Sequence, residues 1–264
     1  MTADDGQALS FGSDAAGYDA GRLPYPAALW QRLAARDLRE GAAIFEIGAG
    51  TGLATRRLIA ARPTRLTAIE PDARMAERLS QLDPGASALE VRVGRFEEAV
   101  LAPEAYDLGV AATSFHWCDT AVASRLAFDA LRPGGVLALF WNRYQTVEGA
   151  DAFSRAIAPH FAAAGDLAGA ITASLPDTPR YRASLAAAGF GGIEEEMITW
   201  HATQSTEEML ALYATFSVVR GLAPPARATL LTAIRRTAED AFGGQIEREY
   251  HTQLLIAEKP AIGG

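Results

Sequence analysis

The stretch that most constrains this chain is Ile44-Phe45-Glu46-Ile47-Gly48-Ala49-Gly50-Thr51-Gly52-Leu53. Residues of strand-forming character, carrying one carboxylate, run into three glycines at alternate positions. A helical pattern of Leu53, Arg56, Arg57 and Leu58 follows. Without Cβ atoms in the way, such a turn lets backbone N–H groups approach a nucleotide-like ligand at the positive end of the next helix. The rest of the chain must then supply a sheet and helices that hold the turn in place.

The hydrophobic pattern supplies them. A helix through Leu29, Trp30 and Leu33 to Asp37 precedes a first strand at 42–47, and the helix after the glycines runs to about 61. A second strand, 65–70, ends on Glu70, and Pro71-Asp72 opens a helix whose inner face carries Met75 and Leu79. Leu89, Val91 and Val93 alternate as a third strand. Residues 106–112 are apolar on both faces, as a buried parallel strand requires. A helix from 120 to 131 is expected to stop at Arg132-Pro133-Gly134-Gly135, before a fifth strand at 136–141. Strand and helix alternate throughout, which predicts a mostly parallel α/β sheet covered on both faces.

After 142 the alternation breaks. Residues 146–189 are alanine-rich, with Phe153, Ile157 and Phe161 at four-residue spacing, then Tyr181 and Leu185. A strand at 193–200 follows, and Ser205-Thr206-Glu207-Glu208 fits a capping box before Met209, Leu212, Tyr213 and Phe216. Pro224-Pro225 opens another helix, and Tyr250, Thr252, Leu254 and Ile256 alternate as a seventh strand.

A net charge of −8 lacks the basic field of a nucleic-acid binder and turns expectation towards small-molecule chemistry. Cys118 is the only cysteine, so neither an intrachain disulfide nor a cysteine-built metal site is available. The start, Met1-Thr2-Ala3-Asp4-Asp5, lacks a signal-peptide pattern, and no apolar run is long enough for a membrane span. A soluble, cytoplasmic protein, monomeric or homodimeric, is expected.

The glycine spacing separates two classes of cofactor. Dinucleotide folds use G-x-G-x-x-G, whereas here Leu53 stands where the third glycine would fall. An acidic residue followed by G-x-G-x-G resembles the class I S-adenosylmethionine-dependent methyltransferases, of the type 11 kind. The resemblance extends to Glu70, to the turn Gly94-Arg95-Phe96-Glu97, to strand 106–112, and to Leu131-Arg132-Pro133-Gly134-Gly135. It also takes in Tyr18 and Arg22, in an arm ending Pro24-Tyr25-Pro26. It implies a Rossmann-like seven-stranded sheet with a helical cap in the second half. The implied layout within 1–264 is an arm at 1–26, a cofactor core at 27–142, a cap at 143–218 and a sheet-completing segment at 219–264.

For the site, the resemblance implies that Glu70 holds the two ribose hydroxyls and that Glu46 attracts the ammonium of the methionine end. Gly48, Ala49, Gly50 and Gly52 cradle the ligand. Arg22 pairs with its carboxylate and Tyr18 closes with the arm. Pro71, Met75, Phe96, Glu97, Ala112, Thr113 and Trp117 complete the expected wall. Chemistry supports the ribose assignment, since a diol offers two donors and a carboxylate accepts both. Arg95 departs from the pattern: it stands where many relatives have an aspartate accepting from adenine, and an arginine cannot accept. The contact then falls to Glu97 or to backbone.

A sulfonium is already an electrophile, so placing a nucleophile in a dry pocket is the main task, and no nucleophilic triad is found. His116 lies just past the fourth strand and is the candidate catalytic residue, as a general base or as the holder of a substrate carboxylate. Trp117 can flank the sulfonium through a cation–π contact. Thr113-Ser114-Phe115-His116 replaces the [DN]-P-P-[YF] of enzymes that methylate nucleobase or glutamine amino groups. Asp119 and Asn142 alone are too few oxygen ligands for a metal. Phe153, Tyr181, Tyr213 and Phe216 are candidate pocket lining. The expectation is methyl transfer to a small, partly apolar acceptor, O-directed. A nicotinamide-dependent oxidoreductase and a non-catalytic S-adenosylmethionine-binding protein stay open as alternatives.

Overall fold

The computed structural model describes residues 21–85, 87–143, 151–165 and 176–261. Its elements are α1 (Ala27–Ala34), β1 (Ala43–Ile47), α2 (Thr55–Ala60), β2 (Arg65–Glu70), α3 (Ala73–Leu79), β3 (Ala88–Val93), β4 (Tyr106–Ala112), α4 (Thr120–Ala130) and β5 (Leu131–Arg143). Then follow α5 (Ala152–Ala163), α6 (Thr178–Ala188), β6 (Gly191–Ser205), α7 (Thr206–Ala214), α8 (Ser217–Arg220), α9 (Pro224–Phe242) and β7 (Gln245–Glu258). The seven strands form one sheet in the order β3-β2-β1-β4-β5-β7-β6. β1 to β5 run parallel, and β7 is antiparallel to both β5 and β6.

The expected α/β arrangement is therefore present, and its cause is period two. Phe45, Ile47, Leu137, Leu139 and Trp141 point to one face, where they meet Ala123 and Ala127 of α4 and Tyr181 and Leu185 of α6. Ile44, Leu108, Val110, Ala138 and Phe140 point to the other, against Leu29, Trp30 and Leu33 of α1 and Leu58 of α2. Strands with large side chains on both faces can only be satisfied by helices on both faces.

Several boundaries differ from expectation. β5 begins at Leu131, so Arg132-Pro133-Gly134-Gly135 lies within a long strand instead of merely stopping a helix. Its pairing with β4 is irregular between Tyr106 and Leu108, which accommodates the proline. Arg132 then has a definite task at the amino end of the sheet. It donates to Asp107 Oδ1 at 2.8 Å and Asp37 Oδ1 at 2.9 Å, while Asp107 Oδ2 accepts the Ala43 N–H at 2.8 Å. The helix after the glycines starts at Thr55 and not at Leu53. β6 and β7 are longer than their apolar cores suggested.

That extra length builds the cap. Arg143, the last residue of β5, pairs with His251, but β6 and β7 continue together to Ser205 opposite Gln245. The pair thus projects past the carboxyl edge of the sheet. A third apolar cluster forms on it from Phe153, Ile157 and Phe161 of α5, Met209, Leu212 and Tyr213 of α7, and Leu230 and Ile234 of α9. The boundary expected at 218 falls inside this cluster, and α6, expected in the cap, covers the sheet instead. The capping box is formed: Ser205 Oγ accepts the Glu208 N–H at 3.3 Å and Glu208 Oε2 accepts the Ser205 N–H at 2.8 Å.

Buried Arg248 of β7 ties the cluster to the sheet. Its Nε donates to Asp151 Oδ2 at 2.8 Å and its guanidinium also reaches Ser154 Oγ at 2.7 Å and the Tyr213 hydroxyl at 3.2 Å.

Candidate active site

The order of strands reverses between β1 and β4, and a crevice opens there at the carboxyl ends, as open α/β sheets require. It holds a cavity of about 500 Å³. Its walls come from Glu46 and Ile47 closing β1, the turn Gly48-Ala49-Gly50-Thr51, Glu70 closing β2, the turn 94–98 after β3, Ala112 closing β4, and residues 113–114 and 116–118 beyond it. Arg22 and Tyr25 of the arm complete them.

The turn is held by contacts that a side chain would break. Gly48 has φ +64°, and a Cβ there would lie 2.6 Å from Ser114 Cβ. Ser114 Oγ in turn donates to the Ile47 carbonyl, and the Ala49 N–H donates to Ile69 O at 3.1 Å. Gly50, at φ +60°, donates its N–H to Glu70 Oε2 at 2.7 Å. The other oxygen, Glu70 Oε1, accepts the Asp72 N–H at 2.9 Å. Each Glu70 oxygen thus keeps a free lone-pair direction for a further donor. Burial raises the Glu70 pKa, and the two backbone bonds oppose that rise.

Glu46 is the more unusual carboxylate. Its Oε2 accepts from Thr55 Oγ1 at 2.7 Å, while its Oε1 is buried and has no hydrogen-bond partner among the described residues. Desolvation pushes its pKa up to about 8, against a smaller lowering by Thr55. A buried acceptor left unmade is costly, so this atom marks a place where a donor belongs.

On the far side of β4, Thr113 is held at φ +56°, a strained conformation for a β-branched residue. Its N–H donates to Phe140 O at 2.8 Å and its Oγ1 hydrogen-bonds the Tyr25 hydroxyl at 2.7 Å. This bond fastens the arm over the crevice. Asn142 Nδ2 does the same by donating to the Leu23 carbonyl at 3.2 Å. Gly21 packs so tightly on α7 that a Cβ would lie 2.4 Å from the Ala211 carbonyl oxygen. Arg22 sits over the Phe216 ring at 5.6 Å. The arm therefore bridges cap and crevice.

His116 lies on the short turn Phe115–Trp117, its ring 4.7 Å from that of Trp117. Trp141 Nε1 donates to His116 Nδ1 at 3.3 Å. Burial first, and then the Arg22 guanidinium, push the imidazole down to about 4. The residue is nevertheless exposed on the cavity wall. Solvent on that exposed side moderates the lowering.

Most of the expected site residues converge here. Arg22, Glu46, Gly48, Ala49, Gly50, Glu70, Pro71, Met75, Phe96, Glu97, Ala112, Thr113, His116 and Trp117 all line the cavity. Tyr18 lies outside the described residues. Gly52 is a correction: it does not line the cavity, and at φ +95° it makes room for Leu82 and Leu79, whose methyls lie 2.6 and 3.0 Å from where its Cβ would be. Phe96 contributes backbone, for its ring is buried in the core and stacked on Phe45 at 5.7 Å. Glu97 Oε1 is engaged by the Asp119 N–H at 2.8 Å and by Arg95 at 3.1 Å.

Phe153, Tyr181, Tyr213 and Phe216 are core and do not line the cavity. The reading of residues one at a time missed Tyr25 and Thr51. Pro24-Tyr25-Pro26 was the available signal for the first, since two prolines fix the direction of the aromatic between them. Among the described residues no group of three or more His, Cys, Asp or Glu side chains could hold a metal ion. No described helix is long and apolar enough to cross a membrane.

The crevice, its carboxylate pair and its glycine turn lie in the stretch that matches a known family model, described as a methyltransferase domain, over residues 45–139. An uncharacterized methyltransferase of Mycobacterium tuberculosis is 36% identical over 134 residues, covering 51% of this chain and 52% of that protein. The malonyl-[acyl-carrier protein] O-methyltransferase of Methylococcus capsulatus is 34% identical over 142 residues, 49% of each chain. The chain thus spans about half the length of the curated relatives it matches. Among solved structures, a protein of Anaeromyxobacter dehalogenans provisionally named a type II methyltransferase superposes with a TM-score of 0.65 at 18% identity, covering 91% of this chain and 99% of that one. That likeness is one of fold, over most of this chain's length.

Proposed function

We propose that the protein is an S-adenosylmethionine-dependent methyltransferase acting on a small molecule, with transfer directed to oxygen. The observation that carries this reading is the buried, unpartnered Oε1 of Glu46 in the cavity wall. A carboxylate that is desolvated and half-satisfied is suited to a ligand bringing its own cation, and the ammonium of an amino acid is one.

Glu70 adds two acceptor directions suited to a diol, and the N–H-lined turn at Gly48 and Gly50 lets a ligand approach the backbone. Arg22 supplies a cation for a ligand carboxylate at the cavity's arm side. The donor set therefore fits the cofactor. When bound, S-adenosylmethionine supplies a methyl group on a positively charged sulfur.

The chain's own residues have three tasks. Glu46, Glu70 and Arg22 fix the ligand's orientation. The arm, pinned by Tyr25, Asn142 and the Gly21 contact with α7, excludes water from above. His116 and Trp117 form the wall on the acceptor side. The O-methyltransferase among the relatives favours oxygen as the accepting atom. Calorimetric titration of S-adenosylhomocysteine tests the reading. Saturable binding is expected, weakened by Glu46→Gln and Glu70→Gln, and absence of heat at millimolar ligand would remove it.

A further inference from the structure

We infer that His116 is a fixed hydrogen-bond donor for an acceptor substrate's carboxylate, and that the protein makes methyl esters. This rests on the methyltransferase reading above and narrows its substrate class.

The argument begins at Trp141, not at His116. An indole N–H can only donate, so the 3.3 Å contact makes His116 Nδ1 the acceptor and leaves the ring proton on Nε2. Trp141 has little freedom to do otherwise. It is the last apolar residue of β5, buried in the sheet-face cluster, with its ring stacked on Tyr181 at 5.3 Å and 13°. Tyr181 is itself held edge-on by Phe115, the residue before His116. The tautomer is therefore set by three packed aromatics from β5, α6 and the turn after β4. The depressed basicity of the ring points the same way. A neutral imidazole whose one lone pair is already used offers the cavity an N–H and accepts nothing from it.

The remaining cavity groups do not supply a base in its place. In the reading above Glu46 Oε1 and the open lone pairs of Glu70 face the cofactor's ammonium and diol, Glu97 Oε1 accepts from Arg95 and the Asp119 N–H, and Glu98 is exposed. Burial pushes the Cys118 thiol up to about 12, so it stays protonated. Ser114 Oγ donates to the Ile47 carbonyl and the Tyr25 hydroxyl is bonded to Thr113. An alcohol or a protonated amine would have to lose a proton that His116 Nδ1, already accepting from Trp141, does not take.

A carboxylate needs no such group. One of its oxygens accepts from His116 Nε2–H, in the field of the Arg22 guanidinium, and the other attacks. An O–C bond forms to the methyl carbon, and the C–S bond breaks with its electron pair remaining on sulfur. The products are a neutral ester and a neutral thioether, and no proton is released. The positive charge of the sulfonium and the negative charge of the carboxylate cancel as the bond forms, which a dry pocket favours.

Two measurements test this on the full chain. Long-range ¹H–¹⁵N correlation spectra of the histidine rings report tautomer directly, and the His116 signals are those lost in His116→Gln. A neutral ring protonated at Nε2 is expected from about pH 6 to pH 9, shifting towards a mixture of tautomers in Trp141→Phe, which keeps the stack on Tyr181. A ring protonated at Nδ1, or charged at neutral pH, would overturn the inference.

The second is transfer of labelled methyl from S-adenosylmethionine to matched sets of short- and medium-chain carboxylates, alcohols, phenols and amines. Base-labile methyl ester from the carboxylates is expected. His116→Gln, which retains an N–H donor, should lose less than roughly tenfold in kcat/KM, and His116→Leu more, chiefly through KM. Turnover confined to alcohols, phenols or amines would overturn the inference, as would equal loss of kcat in both variants. Binding of S-adenosylhomocysteine with no carboxylate methylated overturns this inference alone, whereas no binding overturns the parent reading as well.

Discussion

Replacing Glu46 by Gln should stabilise the empty protein while weakening its cofactor. With a folded-state pKa near 8 against an ordinary 4.5, the native protein holds the proton over a pH range where the unfolded chain has released it. Stability therefore falls as pH rises from about 4.5, and flattens above about 8 once the native carboxyl also ionises. At 1.36 kcal/mol per pH unit, the unfavourable contribution at pH 7 is roughly 3 kcal/mol. Gln keeps the volume and an acceptor for Thr55 Oγ1 but cannot ionise. The gap between variant and wild type should thus widen by roughly 4 kcal/mol from pH 5 to pH 8.5, about 8–16 °C in Tm for a chain of this size. Thermal melts across that range, without ligand, measure it. With S-adenosylhomocysteine present the order should invert, because an ammonium beside Glu46 favours its ionised form and Gln loses that attraction. Parallel melting curves for the two empty proteins would refute the reasoning, for Glu46 would then be neither desolvated nor holding a proton.

Three further perturbations have defined outcomes. Gly48→Ala sets a Cβ 2.6 Å from Ser114 Cβ at a left-handed φ, and should cost roughly 2 kcal/mol or more in urea unfolding and abolish cofactor binding. The double change Gly48→Ala with Ser114→Gly should regain part of the stability, since the clash goes and the backbone strain stays. Arg248→Met leaves Asp151 without its buried partner and should cost roughly 3–5 kcal/mol in guanidinium unfolding, much of it recovered by adding Asp151→Asn. Cys118 should alkylate roughly a thousandfold more slowly in the native protein at pH 8 than in the unfolded chain, given a thiol pushed up to about 12 from 9.0. Rapid native labelling would contradict that upward shift.

The cofactor side of the crevice was legible because backbone does most of its work. Gly48 and Gly50 adopt conformations that other residues resist, and Glu46 and Glu70 stand at strand ends that apolar runs announce, so each signal is local. The errors were also local in origin. Gly52 matched the spacing, yet its freedom from a Cβ serves Leu79 and Leu82, and spacing alone does not say which neighbour a glycine accommodates. Phe96 was readable as a position, but whether ring or backbone met the cavity depended on Phe45, fifty-one residues away. The cap boundary failed for a similar reason. The length of β6 and β7 past β5 is decided by their mutual pairing, which polar stretches such as Glu194-Glu195-Glu196 do not advertise as strand.

The acceptor side was poorly legible because its chemistry is relayed. His116 in the sequence is equally a base and a donor. What decides between them is Trp141, twenty-five residues on, held by Tyr181 on a helix whose pattern had suggested pocket lining. Tyr181 does not touch the cavity, yet through two rings it fixes which nitrogen of His116 carries the proton. A substrate preference written in this way leaves no motif, since any apolar pattern that packs α6 on the sheet looks the same in sequence. On the inference above, Tyr181 and Trp141 act on specificity through His116 although neither lines the cavity. Substituting Tyr181 by Leu should alter the tautomer of His116 and the discrimination between carboxylate and alcohol, while leaving the Glu46–Glu70 half of the crevice and its affinity for cofactor as they were.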